Sequence, residues 1–106
     1  MNKYTVFYKV ESRDFEYYIV PNKIQIPWFN HNYREVRQLK AEGLEDVYYK
    51  MQGEVWSPNG EARELIQSLG LSHTSMNVGD VIYSHAEEKY YWCSWIGFDE
   101  VQLTSR

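Results

Sequence analysis

The fold is decided by two stretches of the sequence: residues 73–82, HTSMNVGDVI, and residues 90–98, YYWCSWIGF. The first stretch predicts a turn, because Gly79 can adopt a positive φ and the Asp80 carboxylate can accept hydrogen bonds from backbone amides. Val81–Ser84 then predicts a β-branched strand, and the second stretch predicts a long aromatic strand. We therefore expect a rigid turn that sets the register of the last strands of a sheet.

The N-terminal residues alternate in a way that predicts a β-hairpin with strands over 4–10 and 15–20. Pro21 would end the second strand because it lacks an amide donor. Residues 21–32 are punctuated by prolines but too apolar for a free linker, so we expect them to pack on the sheet. Residues 33–40 fit either a polar edge strand or a short helix, and we prefer the strand because the helical periodicity is poor. In that strand, one side would carry Tyr33, Arg37 and Leu39.

Two amphipathic helices are predicted in the middle of the chain, each with apolar side chains at i, i+3, i+4 and i+7. These side chains are Leu44, Val47, Tyr48 and Met51 in the first helix and Ala62, Leu65, Ile66 and Leu69 in the second. Gly53 would end the first helix. Ser57 or Asn59 would cap the second helix. Pro58 would begin it, and Gly70 would end it in a left-handed C-terminal cap.

The predicted order β-β-β-α-α-β-β favours an α+β fold. We expect a mostly antiparallel sheet of about five strands with two helices packed on one face. Its last strands would be the aromatic strand over 90–97 and a short strand over 100–103. No boundary or repeat divides the chain, so we predict a single small domain over residues 1–106.

Composition and charge argue against nucleic-acid and membrane partners for this protein and indicate where it is located. Eleven basic and fifteen acidic side chains give a net charge of −4, which disfavours attraction to nucleic acid or anionic membranes. The single cysteine, Cys93, allows no intramolecular disulfide. No apolar stretch approaches the roughly 18 residues that span a bilayer, and the N-terminal residues lack the features of a secretory signal. We therefore expect a cytoplasmic protein without a membrane partner.

Metal and cofactor chemistry have little support in the sequence. The candidate zinc ligands, which lack the spacing of a structural zinc site, are His31, His73, His85 and Cys93. The glycines form neither a phosphate-binding loop nor a dinucleotide-binding motif, so we predict no metal and no cofactor. Cys93 could formally be a nucleophile beside His73 or His85, but a small core residue is the simpler interpretation.

The turn over residues 73–80 is either structural or the centre of a ligand site. Its candidate residues are His73, Thr74, Ser75, Gly79 and Asp80. A serine, a histidine and a carboxylate could form a catalytic cluster, but structural hydrogen bonding explains the same residues more simply. We expect Thr74 and Ser75 to close a second local hydrogen bond. We favour the structural interpretation and keep a small enzyme or ligand-binding protein centred on this turn as an alternative.

Aromatic residues make up 17% of the chain and supply the candidate binding surface. Tyrosine and tryptophan combine a large contact area with a polar tip, and both are enriched at interfaces. The candidate binding residues are Trp28, Phe29 and His31 in the proline-punctuated segment and Tyr90, Trp92 and Trp95 in the aromatic strand. Trp28 and Phe29 could instead cap the open end of the core. Alternation along the strand also means that at least one of its aromatic sets is core.

One block of the sequence has a family resemblance. SMNVGDVI at 75–82, followed by YYW at 90–92 and Gly97-Phe98, resembles the C-terminal half of YodL-like domains, small bacterial domains associated with plasmids, phages and other mobile elements. A longer stretch from Trp56 to Asp80 is similar to uncharacterised bacterial and phage proteins with the same block. The resemblance covers about half the chain and departs from it at Asn77, where a serine is expected. It implies a mobile-element origin but carries over no activity, ligand or functional residue.

These observations favour a noncatalytic protein-binding module of bacterial or mobile-element origin. A small acidic domain without a convergent catalytic set has more tyrosine and tryptophan than its core readily absorbs. A phage-encoded inhibitor of a host defence protein is one concrete form of such a module. The first alternative is a single-stranded nucleic-acid-binding protein that stacks bases on an aromatic sheet face with Lys89 at its edge.

Overall fold

The computed structural model describes residues 1–10 and 23–105, which form one mixed sheet with helices on both of its faces. The strands are β1 Asn2–Lys9, β2 Lys23–Gln25, β3 Tyr33–Ala41, β4 Val81–Ser84, β5 Lys89–Ser94 and β6 Gly97–Thr104. The helices are α1 Ile26–Asn32, α2 Leu44–Lys50, α3 Gly53–Trp56 and α4 Arg63–Ser68. The α+β class is confirmed. In the described residues, however, the sheet has six strands in place of the five expected and is mixed, and four helices lie on both faces, whereas two helices on one face were expected.

The strand order in the sheet is β2-β6-β5-β4-β1-β3. Neighbouring strands are antiparallel except β2 and β6, which are parallel. Side chains alternate along β1, so that Tyr4, Val6 and Tyr8 face one side of the sheet and Phe7 faces the other. The first strand of the predicted hairpin is thus confirmed. Its second strand, over 15–20, lies outside the described residues.

Two apolar clusters cover the two faces of the sheet. The first cluster lies between the sheet and α2, α3 and α4; its largest fully buried members are Tyr8, Met51, Met76, Ile82, Val6 and Val47. The second cluster lies under α1; its buried members are Ile24, Phe29, Tyr33, Val81, Trp92 and Val101. Each face therefore has its own core, and the sheet is buried on both sides.

Residues 26–32 form the short helix α1, which was not predicted. Pro27 lies in its first turn, where a missing amide donor costs no hydrogen bond. Phe29 is the buried residue of this helix and belongs to the second cluster. The expectation that this segment packs on the sheet is therefore confirmed for its described part.

β3 is an edge strand, as the polar pattern of residues 33–40 predicted. Its register with β1 shifts by one residue, because Val6 pairs with Arg37 whereas Phe7 pairs with Glu35. This irregularity moves Tyr33 onto the face of the second cluster, while Leu39 packs against the first. The prediction that both side chains share one side of the strand is therefore wrong.

The first predicted helix is confirmed as α2, with Val47 and Met51 buried and Leu44 packed against the first cluster. Tyr48, the fourth residue of the predicted apolar stripe, is instead exposed. Gly53 does not end this helix. The Met51 amide already bonds the Val47 carbonyl at 2.9 Å, and Gly53 is the first residue of α3.

The second predicted helix is shorter than expected and begins at Arg63, not at Pro58. Gly60 has a φ of +83°, which no helical residue adopts, so the preceding residues form a turn. The Ser57 hydroxyl accepts a hydrogen bond from the Ala62 amide at 2.8 Å across this turn. Ser57 thus stabilises the turn that precedes α4. It does not cap a helix that begins at residue 58, as the sequence predicted.

The C-terminal end of α4 follows the prediction. Gly70 has a φ of +73°, and its amide bonds the Gln67 carbonyl at 3.0 Å. The Leu71 amide bonds the Ile66 carbonyl, also at 3.0 Å, which completes a Schellman motif. Because Leu71 is buried in the first cluster, the motif also anchors the chain that follows the helix.

The aromatic run 90–97 is not one strand. β5 ends at Ser94, and a two-residue turn, Trp95–Ile96, leads into β6. The Ser94 hydroxyl donates to the Gly97 carbonyl at 3.0 Å, and Gly97 has a positive φ that other residues rarely adopt. β6 is accordingly longer than the predicted strand over 100–103.

Replacing Ile66 by alanine should lower the free energy of unfolding by about 2 to 5 kcal/mol, because it leaves a cavity in the first cluster. The Leu65→Ala control should cost less than about 1 kcal/mol, because the Leu65 side chain is 39% exposed. Urea unfolding measures both. Equal losses would mean that α4 packs through a different face.

Candidate functional site

The 73–80 turn is organised around the buried carboxylate of Asp80. One oxygen accepts a hydrogen bond from the Lys9 amide at 2.8 Å. The other accepts from the Asn77 amide at 2.8 Å and lies 3.1 Å from His73 Nε2. Because Lys9 is the last residue of β1, the carboxylate joins the turn to a strand that is distant in sequence.

Backbone contacts fix the rest of the turn. Gly79 has a φ of +96°, as the sequence predicted, and its amide donates to the Cys93 carbonyl at 2.9 Å. The Cys93 amide donates in return to the Asp80 carbonyl at 2.9 Å. The Tyr33 hydroxyl donates to the Gly79 carbonyl. The turn is therefore bonded to β3 and β5 as well as to β1.

Thr74 and Ser75 connect the turn to the helical layer. The Thr74 carbonyl accepts hydrogen bonds from the Tyr8 hydroxyl at 2.7 Å and from Trp56 Nε1 at 3.1 Å. The Ser75 hydroxyl oxygen accepts from the Gly53 amide at 2.7 Å. The predicted second local bond of these two residues is therefore replaced by contacts with β1 and α3.

The electrostatics of the turn follow from burial. Burial raises the pKa of the Asp80 carboxyl, against the opposing effect of His73 and the Lys9 and Asn77 amides. Burial and the nearby carboxylate also raise the pKa of Tyr8, whose ring stacks on His73 with centroids 4.6 Å apart. The structure brings His73 and Asp80 together, but Ser75 faces the Gly53 amide instead of His73. The geometry therefore favours a structural pair over a nucleophile activated by histidine.

Cys93 lies in the first cluster with its side chain buried. Burial, with Asp80 nearby, raises the pKa of its thiol to about 11. Of the histidines considered as its base, His73 bonds Asp80, and His85 Nε2 lies 2.6 Å from the Thr5 hydroxyl. In the part of the chain that the structure describes, no three metal-ligating side chains come together.

The structure separates the aromatic candidates into core and surface. Phe29 and Trp92 are both in the second cluster. The Phe29 ring stacks on Tyr33 with centroids 4.7 Å apart and meets the half-buried Tyr90 edge-on at 5.9 Å. The structure thus places the predicted binding residues Phe29, Tyr90 and Trp92 next to one another, where they pack in the second cluster.

Trp28 and His31 lie on the outer side of α1. Trp28 is 37% exposed, and the Lys9 ammonium group lies 5.6 Å from the centre of its ring. His31 is exposed, and its carbonyl accepts a hydrogen bond from Arg34 at 3.0 Å. The Trp28 ring also meets that of the buried Tyr33 with centroids 6.2 Å apart, so one side of it contacts the second cluster and the other faces solvent.

The turn between β5 and β6 carries Ile96, the most exposed large apolar side chain of the described residues, and Trp95, which among them is exceeded only by Ile96 and Met1. Trp95 is 66% exposed and Ile96 is 98% exposed. A groove of about 440 Å³ lies beside this turn, between α2, the 73–80 turn and the β5–β6 hairpin. Its apolar lining, which we call the tip patch, consists of Tyr48, Val78, Trp95, Ile96 and Phe98.

Sequence reasoning identified Trp95 but missed the rest of the tip patch. The helical spacing of Tyr48 predicts a core position, and the predicted aromatic strand places Ile96 in its interior. A signal was present in Gly97, since an isolated glycine in an aromatic run indicates a turn or bulge. That signal would have placed Ile96 at a hairpin tip.

Replacing Asp80 by alanine should lower the free energy of unfolding by about 3 kcal/mol or more, because the Lys9 and Asn77 amides and His73 lose their acceptor. Asp99→Ala, at an exposed carboxylate, should change it by less than about 0.5 kcal/mol. Chemical denaturation compares the two. A small loss for Asp80→Ala would contradict the structural role of the turn.

Alkylation of Cys93 by iodoacetamide at pH 8 should be at least about a hundredfold slower in the folded protein than in urea, because burial and the raised pKa leave little accessible thiolate. Mass spectrometry over time measures the rate. Rapid labelling of the folded protein would contradict the core assignment and revive a reactive thiol.

None of the helices in residues 1–10 and 23–105 is long and apolar enough to cross a bilayer. No protein-family model, curated protein sequence or solved structure matches the chain.

Proposed function

We propose that the protein is a noncatalytic protein-binding module and that the tip patch is its recognition surface. The observation that carries this proposal is the exposure of Ile96 and Trp95 side by side at a hairpin tip. Apolar side chains exposed to water do not stabilise the core, whereas burying them against a partner stabilises the complex by about 25 cal/mol per Å² of apolar surface removed from water. Exposed apolar patches next to a groove are typical of protein interfaces.

The surroundings of the tip patch indicate the kind of partner. Trp95 and Ile96 project from a two-residue turn whose backbone is held by the flanking strand pairs and by the Ser94–Gly97 hydrogen bond, so binding costs little backbone entropy. Tyr48 and Phe98 line the groove beside them, which leaves room for an apolar side chain of the partner. Glu45 lines the same groove, and its carboxylate favours a partner with a basic residue beside its apolar contact.

The first alternative, a single-stranded nucleic-acid binder, has weaker support. Its stacking platform would need Tyr90, Trp92 and Trp95 on one accessible surface. Trp92 is buried and Tyr90 packs against Phe29, which leaves Trp95 alone among the three as a well-exposed ring. With a net charge of −4 and Glu45 nearby, phosphates would also be repelled.

The second alternative, a small enzyme or ligand-binding protein centred on the 73–80 turn, also has weaker support. Ligand sites need polar groups that are free to meet a ligand. The Asp80 oxygens, the Ser75 hydroxyl and the Thr74 carbonyl already accept hydrogen bonds from the protein itself. These contacts account for the polar residues of the turn as structural elements.

The proposal also includes where the module comes from. The resemblance of residues 75–98 to YodL-like domains favours a bacterial mobile element, and a phage-encoded inhibitor of a host defence protein fits a small binding domain with a rigid apolar tip. In that form, the tip patch would occupy an apolar cleft on the defence protein.

Replacing Ile96 by serine should abolish partner capture while changing the free energy of unfolding by less than about 0.5 kcal/mol, because the side chain is 98% exposed. Leu65→Ser, at another exposed apolar residue, is the matched control. Immobilised wild-type, Ile96→Ser and Leu65→Ser proteins are incubated with bacterial lysate, and bound proteins are quantified by mass spectrometry.

The proposal expects at least one protein that is retained by the wild type and the control but reduced more than about tenfold on Ile96→Ser, the loss typical of a central interface residue. Thermal melting confirms that all three proteins are folded. Equal capture by the two serine variants, or no protein retained by the wild type, would contradict it.

A further inference from the structure

The hydrogen bonds of the neighbouring strand β1 show which backbone amides and carbonyls of β3 point away from the sheet. The Lys3 carbonyl accepts a hydrogen bond from the His85 amide at 3.2 Å, so it points from β1 toward β4. The amide and carbonyl of one strand residue point to the same side in an antiparallel ladder. Lys3 and its partner Lys40 are therefore a non-hydrogen-bonded pair, and the amide and carbonyl of Lys40 point away from β1.

Side-chain contacts at the two ends of the strand agree with this direction. The Lys50 ammonium group donates to the Lys40 carbonyl at 3.2 Å. At the other end, Arg34 donates to the Tyr33 carbonyl at 2.9 Å. Side chains therefore cover the outward carbonyls at both ends of β3, as is common for protected edge strands.

The middle of the edge is different. Gln38 pairs with Thr5, two residues along the same ladder from the Lys3–Lys40 pair, so its amide and carbonyl also point outward. No side chain of the described residues bonds these two groups. One amide and one carbonyl on the same residue are the unit that an added antiparallel strand recognises.

A groove of about 360 Å³ follows this edge. It is lined by the four consecutive residues 37–40 of β3 and by Lys50, Val55 and Trp56 of the helical layer. Side chains alternate between faces along a strand, so four successive residues can line one groove only where it runs along the strand edge. The groove thus lies where an additional strand would lie.

The groove is positively charged in a protein whose net charge is −4. Within the described residues, Arg37 and Lys40 form no ion pair, and Lys50 pairs with Asp46 at 3.1 Å. The Arg37 guanidinium lies 5.5 Å from the centre of the Trp56 ring, which holds it in place without neutralising it. Two uncompensated cations therefore flank the open edge.

We propose that the β3 edge binds an extended acidic peptide, which adds to the sheet as a further strand. The amide and carbonyl of Gln38 would exchange hydrogen bonds with the peptide backbone. Carboxylates on the two faces of the peptide would lie beside Arg37 and Lys40, whose side chains lie on opposite faces of β3. This surface is formed by β3, α2 and α3 and not by the tip patch, so the proposal goes beyond the proposed function and does not depend on it.

A peptide fits this groove better than a nucleic acid does. Base stacking needs a free aromatic face, but Trp56 is half-buried, carries Arg37 over its ring and donates its Nε1 proton to the Thr74 carbonyl. The outward groups of Gln38 match a peptide backbone in spacing and direction, whereas a phosphate chain would leave the carbonyl unpaired.

The test uses a fluorescent peptide of about eight residues made of Glu-Glu-Thr-Thr repeats, a length typical of a strand, which places carboxylates on both faces of the extended peptide. Anisotropy titration of the full chain at low salt measures its affinity. A peptide of the same sequence, N-methylated at the positions that face β3, keeps the charges but loses the backbone donors. We expect the methylated peptide to bind at least about tenfold more weakly. In amide NMR spectra, Gln38 should be among the signals shifted by the unmethylated peptide.

Charge is tested with Lys40→Glu and the matched control Lys89→Glu, which makes the same charge change at a residue outside the groove. Lys40→Glu should weaken peptide binding by about tenfold and Lys89→Glu by less than about twofold, and added salt should reduce the difference. Circular dichroism confirms that both variants are folded.

Three results would overturn the proposal. One is no binding of the glutamate–threonine peptide at concentrations of about 1 mM, the weak limit for a specific contact. Another is equal affinity of the methylated and unmethylated peptides, which would mean that backbone pairing is not involved. The third is displacement of the peptide by a tighter-binding oligothymidylate, which would assign the groove to single-stranded nucleic acid.

Discussion

The described structure depends on one interaction, the buried carboxylate of Asp80. Removing a carboxylate from water is costly unless hydrogen bonds replace its solvation. Here the Lys9 amide, the Asn77 amide and His73 provide them. The carboxylate can be satisfied only when the end of β1 and the start of β4 lie side by side, so its burial links strand pairing to the conformation of the turn.

The position of the hairpin tip follows from this constraint. Gly79 and Asp80 exchange backbone hydrogen bonds with Cys93, which fixes β5 relative to the turn. Trp92 is the last residue of β5 that pairs with β4, and the chain reverses direction at Trp95–Ile96. The apolar side chains at this reversal lie beyond the sheet, where neither cluster can cover them. A buried polar contact thus determines where the protein exposes apolar surface.

The two proposed surfaces differ in chemistry. The tip patch is apolar with an acidic neighbour, Glu45, whereas the β3 edge is polar and flanked by Arg37 and Lys40. A rigid apolar tip suits burial in a cleft of a folded partner. An open strand edge suits an extended segment that brings its own backbone donors and acceptors. The small domain could therefore engage a folded surface and an extended chain at separate places.

Local patterns in the sequence determined the α+β class, the helix α2, the Schellman end of α4 and the conformations of Gly79 and Asp80. Each of these follows from residues close together in the sequence or from the conformational preference of a single residue. Tertiary structure alone decided which aromatic residues are buried, because the face of a strand residue depends on its register with a distant strand. The shift opposite Val6 and Phe7 moved Tyr33 into the second cluster. Such long-range pairing leaves no periodicity in the sequence from which it could be read.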